Sequence, residues 1–292
     1  SSVINGVEKK TGSALVGKFC AVIFSPEHLL LVKEGPSRRR AFLDGALCQS
    51  RPAFTRVLAH YNKALMQRNA LLKDIPRHPE LIDTLDVWDE RLILFGTEVV
   101  QERAAFCKDL EPRAAEIYRG NAKNREEITL SYAPLGGAET KTDIAERFSE
   151  GLKNARNADA RAGFTSVGPH RDDLMLTIDG LSARTFGSQG QQRSIVLALK
   201  LAEADILYRK TGERPVILLD DVMSELDMSR RDYLLNHLDG RQVFITCCDP
   251  DTVRLMETGR GFYVEKGTVR QDTDEKAGEV HAENETPTCE SE

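Results

Sequence analysis

The apolar positions of this chain fall into two rhythms. Between residues 52 and 110 they recur every three or four positions. Phe54, Leu58, Tyr61, Leu65 and Leu72 follow Pro52, with one turn skipped; Leu81, Leu85, Trp88, Leu92, Phe95, Val99, Phe106 and Leu110 follow Pro79. This spacing predicts two helices, each opened by a proline whose missing N–H costs nothing in a first turn. The second carries a heptad-like seam over about 30 residues, or roughly 45 Å of helix. The break at Ile75-Pro76 between them predicts an antiparallel arm outside any sheet core. Its apolar stripe is read as helix packing, not as a cofactor box.

Elsewhere the rhythm is that of strands. Phe19–Phe24 and Glu127–Tyr132 are short apolar or alternating runs, the second leading to Pro134 and Gly136-Gly137, a turn. Leu174–Ile178, Asp179-Gly180 and Leu181–Phe186 predict a hairpin. Val216–Leu219 and Val243–Thr246 are apolar throughout, as expected of parallel strands buried on both faces. Three further helices are predicted: one starting at Ser25-Pro26-Glu27, one over Thr142–Ala158 with Asp143 in its first turn, and Ser194–Tyr208. The last is apolar all round and so belongs inside. Gly35-Pro36 marks a loop after which Ser37 is positioned to cap a helix. No internal repeat is visible.

Composition changes this picture little. Of 292 residues, 40% are hydrophobic and 29% charged, enough to build a sizeable core in one large domain or two smaller ones. No apolar run is long enough to span a bilayer, so no membrane partner is expected, and the N-terminus lacks a secretory pattern. It also lacks an initiator Met, from which a chain beginning mid-protein is expected. The net charge of −6 is concentrated: residues 271–292 hold eight acids and one lysine, leaving the body near +1. That segment is expected to be a disordered acidic tail. Nucleic acid binding is neither excluded nor argued by such a balance. Six cysteines include no paired C-x2-C; they are read as reduced cytosolic thiols.

Candidate chemistry lies in the C-terminal half. Ser188-Gln189-Gly190-Gln191 places a hydroxyl and a bare backbone at a helix N-terminus, where amides and dipole face an anion. A capped helix start is the plain alternative. Val216–Leu219 then delivers Asp220 and Asp221 at a strand's C-terminal edge, where ligands of α/β folds bind. Asp220 suits Mg²⁺ held through water, and Asp221 suits polarisation of an attacking water. A strand followed by a polar turn is the plain alternative. Ser224-Glu225-Leu226-Asp227 follows at D-loop distance, and Thr246 ends the next strand. The joint order of signature turn, buried helix, carboxylate strand, D-loop and strand points to an ATP-cassette α/β fold with a P-loop NTPase-like sheet. An ATP-binding role then assigns Ser188, Gly190, Gln191 and Asp227 to nucleotide, Asp220 to metal and Asp221 to catalysis.

These segments resemble the RecF family of bacterial recombination mediators. The similarity is carried by Gly168-Pro169-His170-Arg171-Asp172-Asp173, Ser188 through Arg193, and Leu218 through Asp227. Phe24 through Leu29, Arg39 through Asp44, Tyr61 and Gln67-Arg68-Asn69 add to it, and matches run from about residue 3 to residue 264. The resemblance implies an SMC/ABC-type ATPase head with an inserted helical arm. On it, residues 1–44 are expected to be the remainder of an N-terminal ATPase lobe, 45–125 the arm, 126–268 the C-terminal lobe and 269–292 the tail. It also implies ATP-dependent dimerisation on single-stranded or gapped DNA, weak DNA-dependent ATPase activity, and recombinase loading with RecO and RecR. Roles in replication, recombination and the SOS response, in the cytoplasm at the nucleoid, come with it.

The family's N-terminal strand, Walker A loop and following helix are expected to be missing here, so this chain alone should bind ATP poorly. Gly12 through Lys18 fits Gly-x4-Gly-Lys, but Phe19 stands where a Mg²⁺-binding Ser/Thr is needed and a strand follows; it is read as a decoy. Cys247 follows Thr246 where a His is often found, and the Q-loop position falls near Ser25, with Ser25 and Glu27 as candidates. Arg38-Arg39-Arg40 reads either as a DNA phosphate contact or as an exposed helix start. His170-Arg171 before Asp172-Asp173 reads as a self-satisfied ion-pair turn, with a metal or catalytic role as the alternative. A non-enzymatic DNA-repair interaction module, another SMC/ABC-class head and a transporter ATPase remain as rival functions.

Overall fold

A computed structural model describes residues 2–4, 6–9, 16–122, 125–132, 134, 140–238, 240–248 and 259–271. The chain forms two units divided after Thr246. In the first, strands β1 (Ser2–Ile4) and β2 (Val7–Lys9) pair antiparallel around Gly6. Strand β3 (Ala21–Phe24) buries Val22 and Phe24 and leaves Ile23 exposed. Pro26 ends it, as the sequence predicts, but the product is a 3-10 turn, Pro26–Leu29, running into the short helix α1 (Leu30–Lys33). Helix α2 (Pro36–Ser50) begins with Pro36 after extended Gly35. Ser37 therefore lies inside the first turn and caps nothing, a correction that follows from proline's fitness for the first helical position.

The predicted pair of long helices is present. Helix α3 spans Pro52–Asp74, a 3-10 turn covers Pro79–Thr84, and helix α4 runs from Leu85 to Asn121. At 37 residues α4 is roughly 55 Å long. Leu85, Leu92, Val99, Phe106 and Leu110 of its seam are all fully buried. Gly96 lets the helices close: a Cβ there would lie 2.4 Å from Phe148 and 3.0 Å from Tyr61. The seam continues past the sequence-predicted end through Ala114, Ile117 and Tyr118, where α4 packs against the C-terminal half of the fold.

Strand β4 (Ile128–Tyr132) precedes helix α5 (Lys141–Ala162). Thr140 caps α5 by accepting from the Asp143 amide, and Gly163 closes it in the left-handed conformation. Strand β5 (Leu174–Ile178) pairs antiparallel with β4 on one side and with β6 (Leu181–Ser182) on the other. The expected second hairpin strand stops there: Ala183–Phe186 is a helical turn, α6. Of Leu181, Ala183 and Phe186 only Ala183 is buried, so no alternating apolar face exists to extend the strand.

Helix α7 (Gln189–Thr211) is buried over most of its length. Strands β7 (Val216–Asp220) and β8 (Val243–Thr246), with helix α8 (Met228–His237) between them, complete a parallel sheet in the order β3-β7-β8. Ile23, Leu218 and Phe244 stand side by side in its register. Burial on both faces is not observed. Ile217 and Leu219 are covered by the core, while Ile23 and Phe244 on the opposite row are exposed. In the second unit β9 (Phe262–Glu265) and β10 (Thr268–Gln271) form an antiparallel hairpin. Residues 272–292, read as an acidic tail, lie outside the described residues, as do Gly12 to Leu15 of the Gly-x4-Gly-Lys match and Gly136-Gly137 of the predicted turn. No helix among the described residues is long and apolar enough to cross a membrane.

Candidate functional site

The signature segment forms a tightly specified corner. Ser188 is the N-cap of α7; its Oγ accepts from the Gln191 amide at 3.2 Å, while the Ser188 amide donates to Gln191 Oε1 at 2.7 Å. This reciprocal capping satisfies two N–H groups that a helix start leaves without partners. The plain reading, a capped helix start, is thus correct as local structure. It also leaves Ser188 exposed, its hydroxyl proton donating to no other described residue. Gly190 sits half-buried in the first turn and brings only backbone to the helix start, which suits approach by an anion.

Helix α8 braces this corner from behind. Asp227 caps α8 by accepting from the Arg230 amide at 3.0 Å, and it ion-pairs with the Arg230 guanidinium. The same guanidinium donates through Nε to Ser194 Oγ at 2.8 Å, and Ser194 donates to the Gly190 carbonyl at 3.0 Å. A Cβ on Gly190 would stand 3.3 Å from Arg230. Asp227 and helix α7 are therefore joined through Arg230 and Ser194. Arg230 was not singled out by the sequence, because nothing in its immediate neighbours signals a partner 36 positions away.

The carboxylate pair forms a second cluster. Asp220 ends β7 exposed, with Thr246 Oγ1 donating to its Oδ1 at 2.7 Å. Asp221 follows at φ 50°, a left-handed conformation uncommon outside glycine. Its amide donates to the Thr246 carbonyl and hydroxyl at 3.1 and 3.2 Å, and Ser224 Oγ contacts its Oδ1 at 3.2 Å. Thr246 at the end of β8 thus orients the Asp220 carboxylate and anchors the Asp221 backbone, roles that fit its position one strand over in the parallel register, while Ser224 meets the Asp221 carboxylate.

A small apolar pocket of about 30 Å³ lies between the two clusters' supporting elements, lined by Phe24, Ser25, Arg193, Val222 and Leu226 among others. It is the size of a single water, too small for a nucleotide. Ser25, a Q-loop candidate, has its hydroxyl 2.9 Å from His28 Nδ1; Glu27 is exposed. Desolvation and then the charge of Lys200 hold the His28 pKa below its ordinary value.

The two basic segments are each partly buried, with Arg38 and Arg171 exposed. Arg38 pairs with Glu34 on the surface, but Arg39 is buried, forking onto both oxygens of Asp173 at 2.6 and 2.9 Å and donating to the Leu31 and Glu34 carbonyls. Arg40 donates to the Asp172 carbonyl. Both earlier readings of this segment fail at Arg39: it lies at a helix start, yet it is neither exposed nor open to DNA. His170 Nδ1 lies 2.6 Å from the Tyr61 hydroxyl and Nε2 lies 2.9 Å from the Thr165 carbonyl. A carbonyl only accepts, so Nε2 carries the proton and Tyr61 donates to Nδ1. Burial lowers the His170 pKa and raises that of Tyr61. Among the described residues no group of three or more potential metal ligands occurs.

No protein-family model matches the chain. It is 41% identical over 264 residues to the "DNA replication and repair protein RecF" of Acetivibrio thermocellus, covering 89% of this chain and 72% of that one. It is 42% identical over 268 residues to the protein of the same name from Agathobacter rectalis, covering 91% and 72%. Two solved structures share the fold. That of "the recombination mediator protein RecF-ATPrS in RecFOR pathway" superposes with a TM-score of 0.83 at 36% identity, covering 91% of this chain and 71% of that one. Its "RecF-ATP" counterpart gives 0.80 at 34% identity over the same shares. The α/β class expected from the sequence is that of these structures.

Proposed function

Because the chain belongs to the RecF family, we propose that it is the signature- and carboxylate-bearing part of a recombination mediator whose nucleotide is held between two copies. The observation that carries the reading is an exposed, capped Ser188 beside half-buried Gly190, braced through Ser194, Arg230 and Asp227, together with an exposed Asp220 beside Asp221 at the end of β7. Each copy would lend Ser188 and Gly190 to the γ-phosphate bound by the other, with Gln191 fixing the corner and Asp227 approaching the same nucleotide. The helices of 45–125 would serve as the arm. DNA with single-stranded or gapped character, RecO and RecR are the partners this reading supplies, in the cytoplasm at the nucleoid.

Mg²⁺ fits the acid pair. Thr246 occupies Oδ1 of Asp220, which leaves Oδ2 for a hydrated cation, and Mg²⁺ is ordinarily bound by one or two carboxylates plus phosphate oxygens and waters. When bound, the ion would neutralise charge on the transferred phosphoryl group. Asp221 would accept the proton of the attacking water, and Thr246 would hold both acids in place.

The Walker A amides and lysine are supplied by no described residue, so this 292-residue chain by itself should bind ATP weakly and turn over essentially none. Titration calorimetry of the chain with Mg²⁺-ATP tests this: heat fitting a millimolar or weaker site is expected, and micromolar affinity would overturn it. A chimaera that adds to this chain the part of the Acetivibrio thermocellus relative that it does not match should dimerise with ATP and bind gapped DNA more tightly when it does. Sedimentation that stays monomeric with saturating ATP would remove the two-copy reading.

A further inference from the structure

The Gln191 side chain has two ends, and both are engaged. Its Oε1 accepts from the Ser188 amide at 2.7 Å; its Nε2 donates to Glu126 Oε1 at 2.9 Å. Glu126 lies 65 positions earlier, in the link between α4 and β4. Its other oxygen, Oε2, accepts from the Tyr118 hydroxyl at 2.7 Å, and Tyr118 is fully buried in the last turns of α4. A neutral amide can cap Ser188 in one orientation only. A carboxylate, which solely accepts, fixes that orientation by demanding the NH₂ end. Flipped, Gln191 would present NH₂ to an N–H and oxygen to a carboxylate, two repulsive contacts.

The foot of α4 touches α8 as well. A Cβ on Gly120 would stand 2.7 Å from the Tyr233 hydroxyl of α8, so α4 lies directly against the helix that carries Asp227 and Arg230. The end of one long helix therefore meets both the signature corner and the D-loop helix.

We propose that Glu126 is a positioning residue for the signature corner: through Gln191 it sets the Ser188 amide and hydroxyl, and through Tyr118 it ties that setting to the arm helix α4. The functional consequence rests on the two-copy nucleotide reading above; the positioning itself does not. An arm displaced by DNA or a partner would change the readiness of Ser188 for the second copy's phosphate, with no change in the site that binds nucleotide first.

Amide hydrogen exchange on the full 292-residue chain, without nucleotide, tests the positioning. Glu126→Ala should speed exchange of the Ser188 and Gln191 amides by about tenfold, the equivalent of one charge-assisted hydrogen bond. Glu126→Gln retains an acceptor for Gln191 and should restore exchange to within about twofold. Amides of Leu197 to Leu207 should not move in either variant. Unaltered exchange at Ser188 in Glu126→Ala, or acceleration along the whole of α7, would overturn the proposal. In the chimaera, Glu126→Ala should raise the ATP concentration for half-maximal dimerisation about tenfold, again one such bond, while single-head ATP affinity stays unchanged. Equal ATP dependence with and without the substitution would sink the functional half. If the unsubstituted chimaera forms no ATP-dependent dimer, the two-copy reading has failed, and the exchange result still decides whether Glu126 positions Ser188.

Discussion

The packed helices around α3 and α4 and the rim of the parallel sheet handle charge in opposite ways. Among the helices, Arg68 near the end of α3 is fully buried, bonded to Asp89 at 2.6 Å, Asp159 at 2.8 Å and Thr165 at 3.0 Å. Arg103 forks onto Asp44 and donates to the Pro169 carbonyl, and Arg39 forks onto Asp173. Every one of these charges is answered by another part of the same chain. At the rim, Ser188 and Asp220 are exposed, and their protein partners engage only one side of each. The contrast teaches that abundance of charge does not mark a site. Residues that spread over distant segments and close on themselves hold the fold; residues braced from behind and open in front are placed for something else.

The largest way to break the comparison is at Arg68. Asp159→Ala removes one of the two carboxylates that answer this buried charge, together with the acceptor of the Ser166 amide and hydroxyl, and should cost about 3–5 kcal/mol in a denaturant titration. Asp221→Asn should leave the same titration unmoved. In the ATP-competent chimaera, however, it should slow turnover about a hundredfold or more while nucleotide binding persists, since a positioned general base contributes at least that much. Thr246→Val removes the hydroxyl that orients Asp220 and should weaken Mg²⁺ dependence about tenfold, the usual effect of losing a group that orients a metal ligand. Ser188→Ala should lower stability by about 1 kcal/mol as a lost cap.

The smallest effect is that of pH. Burial depresses the His170 pKa, so the unfolded chain binds this proton more readily than the folded one. The contribution of neutral His170 is then present above the ordinary histidine range and fades as pH falls through the folded value. His170→Gln should flatten the stability curve on the acid side of neutrality; an unchanged slope would place the titration elsewhere.

What was legible in the sequence follows the range of the interactions involved. Pro52 and Pro79, with leucines at helical spacing, announced α3 and α4 because every cue lies within a few residues. The same holds for Ser188 as a cap and for Asp220 at a strand's end. Leu181-Ser182 forms the expected hairpin strand, but Ala183 to Phe186 turns helical: the apolar residues are there, yet Leu181 and Phe186 face solvent. Phe244 was expected inside for the same reason, and composition does not say which face of a strand has company. Arg39 with Asp173 spans 134 positions and Gln191 with Glu126 spans 65, so neither pair leaves a local trace.

The backbone at Asp221 has a practical outcome for anyone dissecting its role. A positive φ of 50° admits aspartate and asparagine far more readily than branched or long side chains. Exchange of acid for amide at this position therefore changes ionisation and little else, whereas Glu or Val there would confound lost chemistry with a rearranged turn.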